Sequence, residues 1–578
     1  MNASYPIYTG VTDCQDCYKC VRHCPVKAIR IEEGKASVIS GDCILCGHCV
    51  EVCPSGAKKI RNDIERVKNL IRLKEKVFVS LAPSYISEFP GLHRSQLIRA
   101  LKRLGFSEVS ETALGAQEVS AHIARTLDHA TPGYYLSSAC PSAVELIRKH
   151  YPAFHEAVTS FQSPMQVHAG ILKEMYGSDI AVVFIGPCIA KKDESDRHPD
   201  RVNAAITFKN LLDWFKQEGI DPASEPVLPE EKFVPETARE GAMYPVEGGM
   251  ISGVRSECSL HDPAFMSFSG VENIQMALNG LEQFRPDRPV FIELLTCKGG
   301  CINGPARLNN GSTVIKRYAV LNQAAYPAEE LPRPPRREIE ETFSQTAVHM
   351  PEYSDSDITR ALHLVGKYTP SDELNCGGCG YNSCRDFAIQ LLNGRAEREM
   401  CVTYMRKLAQ KKANALLRSI PSGVVIVNDE LKIVECNRNF ARLIGKDSVK
   451  VFEARPGMEG ALLEKVIPFA HLFRTVLEDG EDILNKDIRY DKRILHGSVF
   501  TIEKHRIVGG VFQDITTPAM QKEHIIRKTR NVIEKNLETV QKIAYLLGEN
   551  ASETQVVLDS IVKSFASDIP DKNKHEKT

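Results

Sequence analysis

The chain has 578 residues, which at roughly 150 residues per domain predicts about four domains and excludes a single small module. Apolar residues make up 43% and charged residues 25%, with 73 Lys plus Arg against 74 Asp plus Glu, so overall charge supports neither a nucleic acid nor a membrane surface as partner. No run of 18 apolar residues occurs and the start, MNASYPIYTG, lacks a signal-peptide pattern, so a cytoplasmic chain is expected, in which the 18 clustered cysteines read as metal or redox groups rather than disulfides.

Eight cysteines open the chain. Cys14, Cys17, Cys20 and Cys24-Pro25 form C-x2-C-x2-C-x3-C-P, and Cys43, Cys46, Cys49 and Cys53-Pro54 repeat the spacing. Four thiolates suit one 4Fe–4S cubane, and in such paired runs the fourth Cys of each ligates the other cluster. Cluster one is therefore assigned Cys14, Cys17, Cys20 and Cys53, and cluster two Cys43, Cys46, Cys49 and Cys24. Four-Cys zinc sites are the alternative. The block, taken as residues 1–60, resembles bacterial two-cluster ferredoxin domains across 10–60. It would carry electrons without making or breaking other bonds. Residues 61–76 read as a polar helix leaving it.

From 77 to 325, β-rich runs alternate with helical patterns. The runs are Val77–Leu81, Tyr134–Ser137, Ile180–Ile185 and Val290–Leu295, and the helical stretches include Ser95–Leu104, Pro141–His150 and Thr207–Gln217. This alternation predicts an α/β domain with a mainly parallel sheet. Cys140, Cys188 and Cys297 each follow a predicted strand, and ligands gather at the carboxyl ends of strands in such sheets. With Cys301 they can converge on one site. The bland alternative for any one of them is a buried apolar Cys.

Three segments resemble the signature loops of iron-only (FeFe) hydrogenases. Ser137-Ser138-Ala139-Cys140-Pro141 is similar to TSCCP. Gly186-Pro187-Cys188-Ile-Ala-Lys191-Lys-Asp-Glu194 is similar to MPCxxKxxE. Glu293-Leu-Leu295-Thr-Cys297-Lys-Gly-Gly-Cys301-Ile-Asn-Gly304 is similar to ExMxCxGGCxxGG. The resemblance implies that Cys140, Cys188, Cys297 and Cys301 hold a 4Fe–4S cubane. It implies that Cys301 also bridges to a di-iron unit carrying CO, cyanide and a dithiolate, the H-cluster that splits H2. Lys191 would hydrogen-bond an anionic cyanide, with Glu194 nearby or, on the bland reading, an ordinary surface carboxylate.

The departures from the family pattern bear on function. Ala139 stands where the family has a proton-carrying Cys. The acidic pair upstream falls near His122, which reads as an ordinary helix residue before it reads as a proton shuttle. Gly186 and Leu295 replace two Met that pack against the di-iron unit. Slow proton transfer and a reshaped pocket are expected.

A Pro-rich charged stretch, PAEELPRPPRR at 327–337, reads as part of a linker over 326–356. Cys376, Cys379, Cys384 and Cys401 then give C-x2-C-x4-C-x16-C. This segment, 357–411, resembles single 4Fe–4S domains of electron-transport and corrinoid iron–sulfur proteins, with a helix Arg385–Arg398 returning the chain to the fourth ligand and zinc as the alternative. Residues 412–517 resemble a PAS sensor domain, with Asn437 suited to capping a helix. No flavin or haem motif is evident, its ligand is open, and Cys436 reads as structural. The tail, 518–578, has apolar residues at helical spacing up to about Ser567, then a frayed end, and fits a dimerising or docking helix. Only about 60 residues remain after the PAS region, short of a kinase domain of roughly 100 or more residues.

The expected architecture is multidomain α/β and α+β. The expected function is a low-turnover H2 or redox sensor that exchanges electrons with donors or acceptors such as ferredoxin and signals through PAS and tail to a kinase or phosphatase, with a homodimer fitting the tail. The rivals are a catalytic ferredoxin-linked hydrogenase, and a non-enzymatic iron–sulfur protein without the di-iron unit, as in related eukaryotic cytosolic cluster-assembly factors.

Overall fold

A computed structural model describes residues 5–254, 262–324, 331–517, 522 and 525–535. Cys258 and most of the tail lie outside the described residues. The chain divides into two units, Met1–Met405 and Arg406–Thr578.

The first unit opens with two small antiparallel pairs. Strand β1 (Ile7–Thr9) pairs with β4 (Lys58–Ile60), and β2 (Ile29–Glu32) pairs with β3 (Lys35–Val38). Each cysteine run turns into a short helix, Lys19–His23 in the first and His48–Glu51 in the second. The residue before each helix is left-handed, Tyr18 at φ 53° and Gly47 at φ 80°. The duplicated spacing is thus a duplicated loop shape.

The α/β region contains two parallel sheets, where one was expected. Strands β5 (Val77–Leu81), β6 (Glu108–Glu111), β8 (Ala181–Gly186) and β9 (Ala204–Thr207) form a sheet in the order β6-β5-β8-β9. Strands β7 (Gly133–Leu136), β10 (Phe265–Ser269) and β11 (Pro289–Leu295) form the other, in the order β10-β11-β7. Every residue of β5 and β8 is buried, as expected of parallel strands covered on both faces. The helix Pro141–His150 starts with Pro at its first position, where the missing N–H costs nothing. The strands EVSE of β6 and AAIT of β9 are short and poor in large β-formers, and neither stands out in the sequence.

Within the 326–356 span that composition predicts as linker, residues 331–350 are fastened along the α/β region. Glu118 accepts the backbone N–H of Arg336 at 2.6 Å and of Arg337 at 3.0 Å. Arg333 pairs with buried Glu240 at 2.5 Å, and Ile339 is buried. Its Pro and Arg content suggested a solvated spacer; the acidic partners that hold it are far away in sequence. The expected helix Arg385–Arg398 is shorter, Cys384–Leu392, because Gly394 at φ 62° ends it. The chain reaches Cys401 through a 3-10 turn, Arg398–Met400.

In the second unit, strands β12 (Gly423–Asn428), β13 (Ile433–Cys436), β14 (Ile483–Tyr490), β15 (Arg493–Glu503) and β16 (Ile507–Asp514) form one antiparallel sheet in the order β13-β12-β16-β15-β14. Asn437 caps the helix Arg438–Ile444, accepting from Phe440 N at 2.9 Å, and donates to Ser422 O at 2.8 Å. Over this sheet, Phe469 and Phe473 pack against Phe512 with ring centroids 5.4 Å and 6.1 Å apart. A Cβ at Gly510 would run into Phe473, so the rings lie directly on the backbone. Cys436 is buried in this core, where burial pushes its thiol up to about 12. That fits a packing role.

Candidate iron–sulfur and hydrogenase-type site

Cys14, Cys17, Cys20 and Cys53 border one small cavity of about 20 Å³, together with Tyr18, Ala57 and Lys58. Cys24 is not among them. It lies within electrostatic reach of Cys43, Cys46 and Cys49. The fold therefore crosses the two runs, bringing each fourth Cys to the other run's first three. The Ala28 N–H donates to Cys24 Sγ at 3.2 Å and the Leu45 N–H to Cys43 Sγ at 3.3 Å. Such donors steady a thiolate. Burial, then the neighbouring sulfurs, push Cys46 and Cys49 well up. These sulfurs become thiolates only against a compensating positive core.

In the α/β region, Cys140 is the N-cap of the helix Pro141–His150, four residues beyond β7. Cys188 lies between β8 and the helix Ala190–Arg197. Cys297 and Cys301 flank a turn after β11 in which Gly299 has φ 76° and Gly300 φ 98°. A Cβ at Gly300 would run into Pro245 O, so only glycine lets the turn come this close. The four sulfurs are mutual electrostatic neighbours. They converge where the carboxyl ends of two sheets meet, since β8 belongs to one and β7 and β11 to the other. Among the described residues, no three His, Cys, Asp or Glu side chains are gathered tightly enough to hold a single metal ion. A cubane, which bonds each thiolate to a different iron, makes a looser demand.

Beside these sulfurs is a cavity of about 100 Å³, bordered by Cys140, Cys188, Cys301, Ala139, Lys191 and Leu295. Lys191 Nζ donates to Ser163 Oγ and to Glu194 Oε2, each at 2.7 Å. An ammonium has three N–H groups, so these two partners leave one unused at a residue that borders the cavity. Glu194 is buried and paired, which replaces the surface-carboxylate reading. The adjacent Lys192 turns away, fully buried against Asp63 at 2.8 Å. Ser84 Oγ borders the same cavity, is buried, and has no hydrogen-bond partner. An unpartnered buried hydroxyl, an ammonium and thiol groups bordering one cavity make a set of polar groups that fits an anionic metal unit.

The departures have structural consequences. Ala139 contributes a methyl to an apolar group that includes Tyr135 and Phe161. His122 is buried and absent from the cavity lining. Its Nε2 lies 2.6 Å from Arg337 O and 3.6 Å from Glu118 Oε1. Burial works against the imidazolium, but Glu118 and the carbonyl outweigh it and raise the His122 pKa. It is a clamp on the 331–337 strap. At Gly186, a Cβ would come within 2.6 Å of Phe184 Cζ and 2.8 Å of Ala82 Cβ. Phe184 fills the room that a side chain at 186 would need, and it borders the cavity along with Met165 and Met250.

Sequence reasoning missed these three, Ser84, and the role of Glu293. Glu293 is fully buried and accepts from Ser267 Oγ at 2.7 Å, Gly248 N at 2.8 Å and Met250 N at 3.2 Å. Burial raises it to about 7 despite these bonds. It anchors the loop that brings Met250 to the cavity.

In the third block, Cys379 has Cys401 and Cys376 as electrostatic neighbours. Cys384 heads its helix, capped by Ser383 and Asp386, and its N–H donates to Asn375 Oδ1 at 2.7 Å. The Cys401 and Thr403 side chains lie 3.2 Å apart.

Residues 75–305 match the family described as the iron-only hydrogenase large subunit, C-terminal domain. Residues 7–54 match a 4Fe–4S dicluster domain, 372–403 an iron–sulfur cluster family, and 412–487 a PAS domain. The NADP-reducing hydrogenase subunit HndD of Solidesulfovibrio fructosivorans is 27% identical over 370 residues, 52% of this chain and 61% of that one. Iron hydrogenase 1 of Clostridium pasteurianum is 25% identical over 306 residues, 43% of this chain and 53% of that one. A cytosolic Fe-S cluster assembly factor, NAR1 of Debaryomyces hansenii, is 26% identical over 218 residues, 32% and 40% of the two chains. The chain thus spans less than two thirds of each of these relatives. A solved FeFe-hydrogenase structure, concerned with oxygen inactivation of the H cluster, aligns over 50% of this chain and all of its own, at 19% identity and a TM-score of 0.40. The chain is a hydrogenase-like iron–sulfur protein with a PAS domain. Among the described residues no helix is long and apolar enough to cross a membrane.

Proposed function

We propose that this chain, whose residues 75–305 carry the iron-only hydrogenase-type domain, is a low-turnover sensor of H2 or of the electron pool, with the PAS region and tail as its output. In this reading Cys140, Cys188, Cys297 and Cys301 hold a cubane, and Cys301, Lys191 and Ser84 hold a di-iron unit beside it. When bound, that group supplies the heterolytic chemistry of H2. The residues around it bind and orient. Lys191, braced by Ser163 and Glu194, offers a fixed cationic donor, and Phe184, Met165, Met250 and Leu295 give the cavity a mostly apolar lining.

The observation that carries the sensor reading is Ala139. A methyl occupies the point where, on this reading, a proton would change hands, and His122, outside the cavity lining, is committed to Glu118 and the Arg337 carbonyl. Positioned general acids and bases contribute roughly 10² to 10⁴ in rate, so turnover suffers while H2 binding and redox change do not depend on this position. Ala139→Cys in the matured protein is expected to raise H2 turnover by about 10²-fold. Unchanged turnover with a full set of CO and cyanide infrared bands would remove this explanation.

The likeness to a cluster-assembly factor supports a second reading, in which the four cysteines hold a plain cubane. Infrared spectra after maturation separate the two: without CO and cyanide bands there is no di-iron unit. The sensor reading further places the chain in the cytoplasm, where thiols stay reduced, with a kinase or phosphatase as its partner and a dimer formed through the tail. Partner affinity that is the same under H2 and under oxidising conditions would count against signalling.

A further inference from the structure

The third cysteine segment is built onto the first block by specific contacts. Arg22 Nη2 donates to Cys17 O at 2.9 Å, while its Nη1 reaches Gly378 O at 3.5 Å. Gly380 lies so close to the helix Lys19–His23 that a Cβ there would be 3.0 Å from Val21 and 3.1 Å from Arg22 N. The Ile31 N–H donates to Arg395 O at 3.0 Å, and the Gly34 N–H to Glu397 Oε2 at 3.2 Å. Arg395 and Asp42 form an ion pair. Cys24 and Cys401 share one packed core with Tyr381 and Phe387.

Lys27 occupies this seam. Its side chain is partly buried, and Nζ donates to Arg22 O at 3.3 Å and Val21 O at 3.4 Å. The Cys24 and Cys379 sulfurs are both electrostatic neighbours of the ammonium. Elsewhere, the set to which Cys24 belongs reaches two further neighbours. Cys46 and Cys297 border the same cleft, and Cys49 is close enough to Cys20 to feel its charge.

We propose that the Cys24, Cys43, Cys46 and Cys49 set is a three-way electron junction, joined to the α/β site through Cys46 and Cys297 and to the Cys376–Cys401 set across Lys27, and that Lys27 tunes the potentials of the two cubanes it separates. The proposal rests on reading these cysteines as cubane ligands. Each transfer is a one-electron exchange: one cubane is oxidised by one electron, its neighbour is reduced by one, and no other reactant is used. Reduction adds negative charge to a cubane, so a fixed ammonium nearby favours the reduced form of both. The Cys376–Cys401 cubane then feeds the junction without passing through the Cys14, Cys17, Cys20 and Cys53 cubane. Lys27 is a positioning residue; it ligates nothing.

The test is an EPR-monitored redox titration of the full, reconstituted chain. Lys27→Met is expected to lower the reduced-to-oxidised ratio of both flanking cubanes about tenfold at a fixed solution potential, ~59 mV for one electron. The Cys14, Cys17, Cys20 and Cys53 cubane should not move, and Lys27→Arg should behave as the parent. A shift in only one cubane, or in neither, overturns the role of Lys27. A Cys379→Ala variant that has lost its cubane should show slower spin relaxation at the junction cubane and none at the Cys14 set. A change at the Cys14 set instead overturns the branch order. Iron and sulfide contents too low for four cubanes would overturn the reading of the cysteines themselves, whatever Lys27 does.

Discussion

The first cysteine block and the α/β site use the same donors and are built in opposite ways. In the block, eight thiols come from 40 consecutive positions, 14–53, and each loop closes through its own left-handed residue, Tyr18 or Gly47. In the α/β site, Cys140 and Cys301 stand at opposite ends of a long stretch, and their meeting requires β7, β8 and β11 to be in place in two separate sheets. A site made of local loops tolerates insult elsewhere. A site made of strand ends inherits the stability of the domain that aligns them, because long-range contacts form only with the whole.

The strongest way to break the contrast is to remove one sulfur from each site. Cys297→Ser is expected to abolish the α/β cubane while both cubanes of the first block keep their EPR signals; loss of all three would show that the regions assemble as one. The next effect falls on backbone. Gly300→Ala adds a Cβ against Pro245 O at φ 98°, which should cost about 3 kcal/mol in chemical denaturation and release iron from the α/β site.

Glu111 tests how far the rim of the sheet depends on burial. It ends β6, is buried, and accepts from Ala238 N at 2.7 Å. Burial raises it to about 7 from 4.5. The folded state therefore binds the proton more tightly than the unfolded state. Stability is full below about pH 4.5 and falls as pH rises to about 7, by about 3 kcal/mol at most. Glu111→Gln should flatten that slope in melts taken across the window; an unchanged slope would assign it to other groups. The smallest effect belongs to the local block. Gly56 is also left-handed, at φ 65°, but a Cβ there meets nothing within 4 Å. Gly56→Ala should cost about 1 kcal/mol and leave every cluster signal in place.

The same contrast governs how much could be read in advance. The Cys spacing of the first block is a property of neighbouring residues, and so is the apolar run Val77–Leu81, which is a strand with those bounds. That the α/β strands divide between two sheets is a matter of partner choice, and periodicity says which residues are extended without saying beside what. The 331–337 stretch has a spacer's composition, and its partners Glu118, His122 and Glu240, distant in sequence, show it to be a strap. The three loop motifs single out Lys191 and four cysteines; Lys191, Cys140, Cys188 and Cys301 border one cavity, and Cys297 is an electrostatic neighbour of the other three sulfurs. Ser84 and Glu293 carry their meaning in burial and partners, which no local pattern displays.

Phe184 and Gly186 are two residues apart on β8, and any side chain placed at 186 would compete with the Phe184 ring for one space. The order in which they can be exchanged is therefore constrained. A Met placed at 186 alone meets the ring of Phe184 and is disfavoured by overpacking; a small residue at 184 alone leaves a hole beside the cavity. Either single step loses, and only the double exchange returns to a filled pocket, so the energies of the two do not add. Converting this pocket toward the family's usual lining is a valley crossing, and a screen of single substitutions would pass over it.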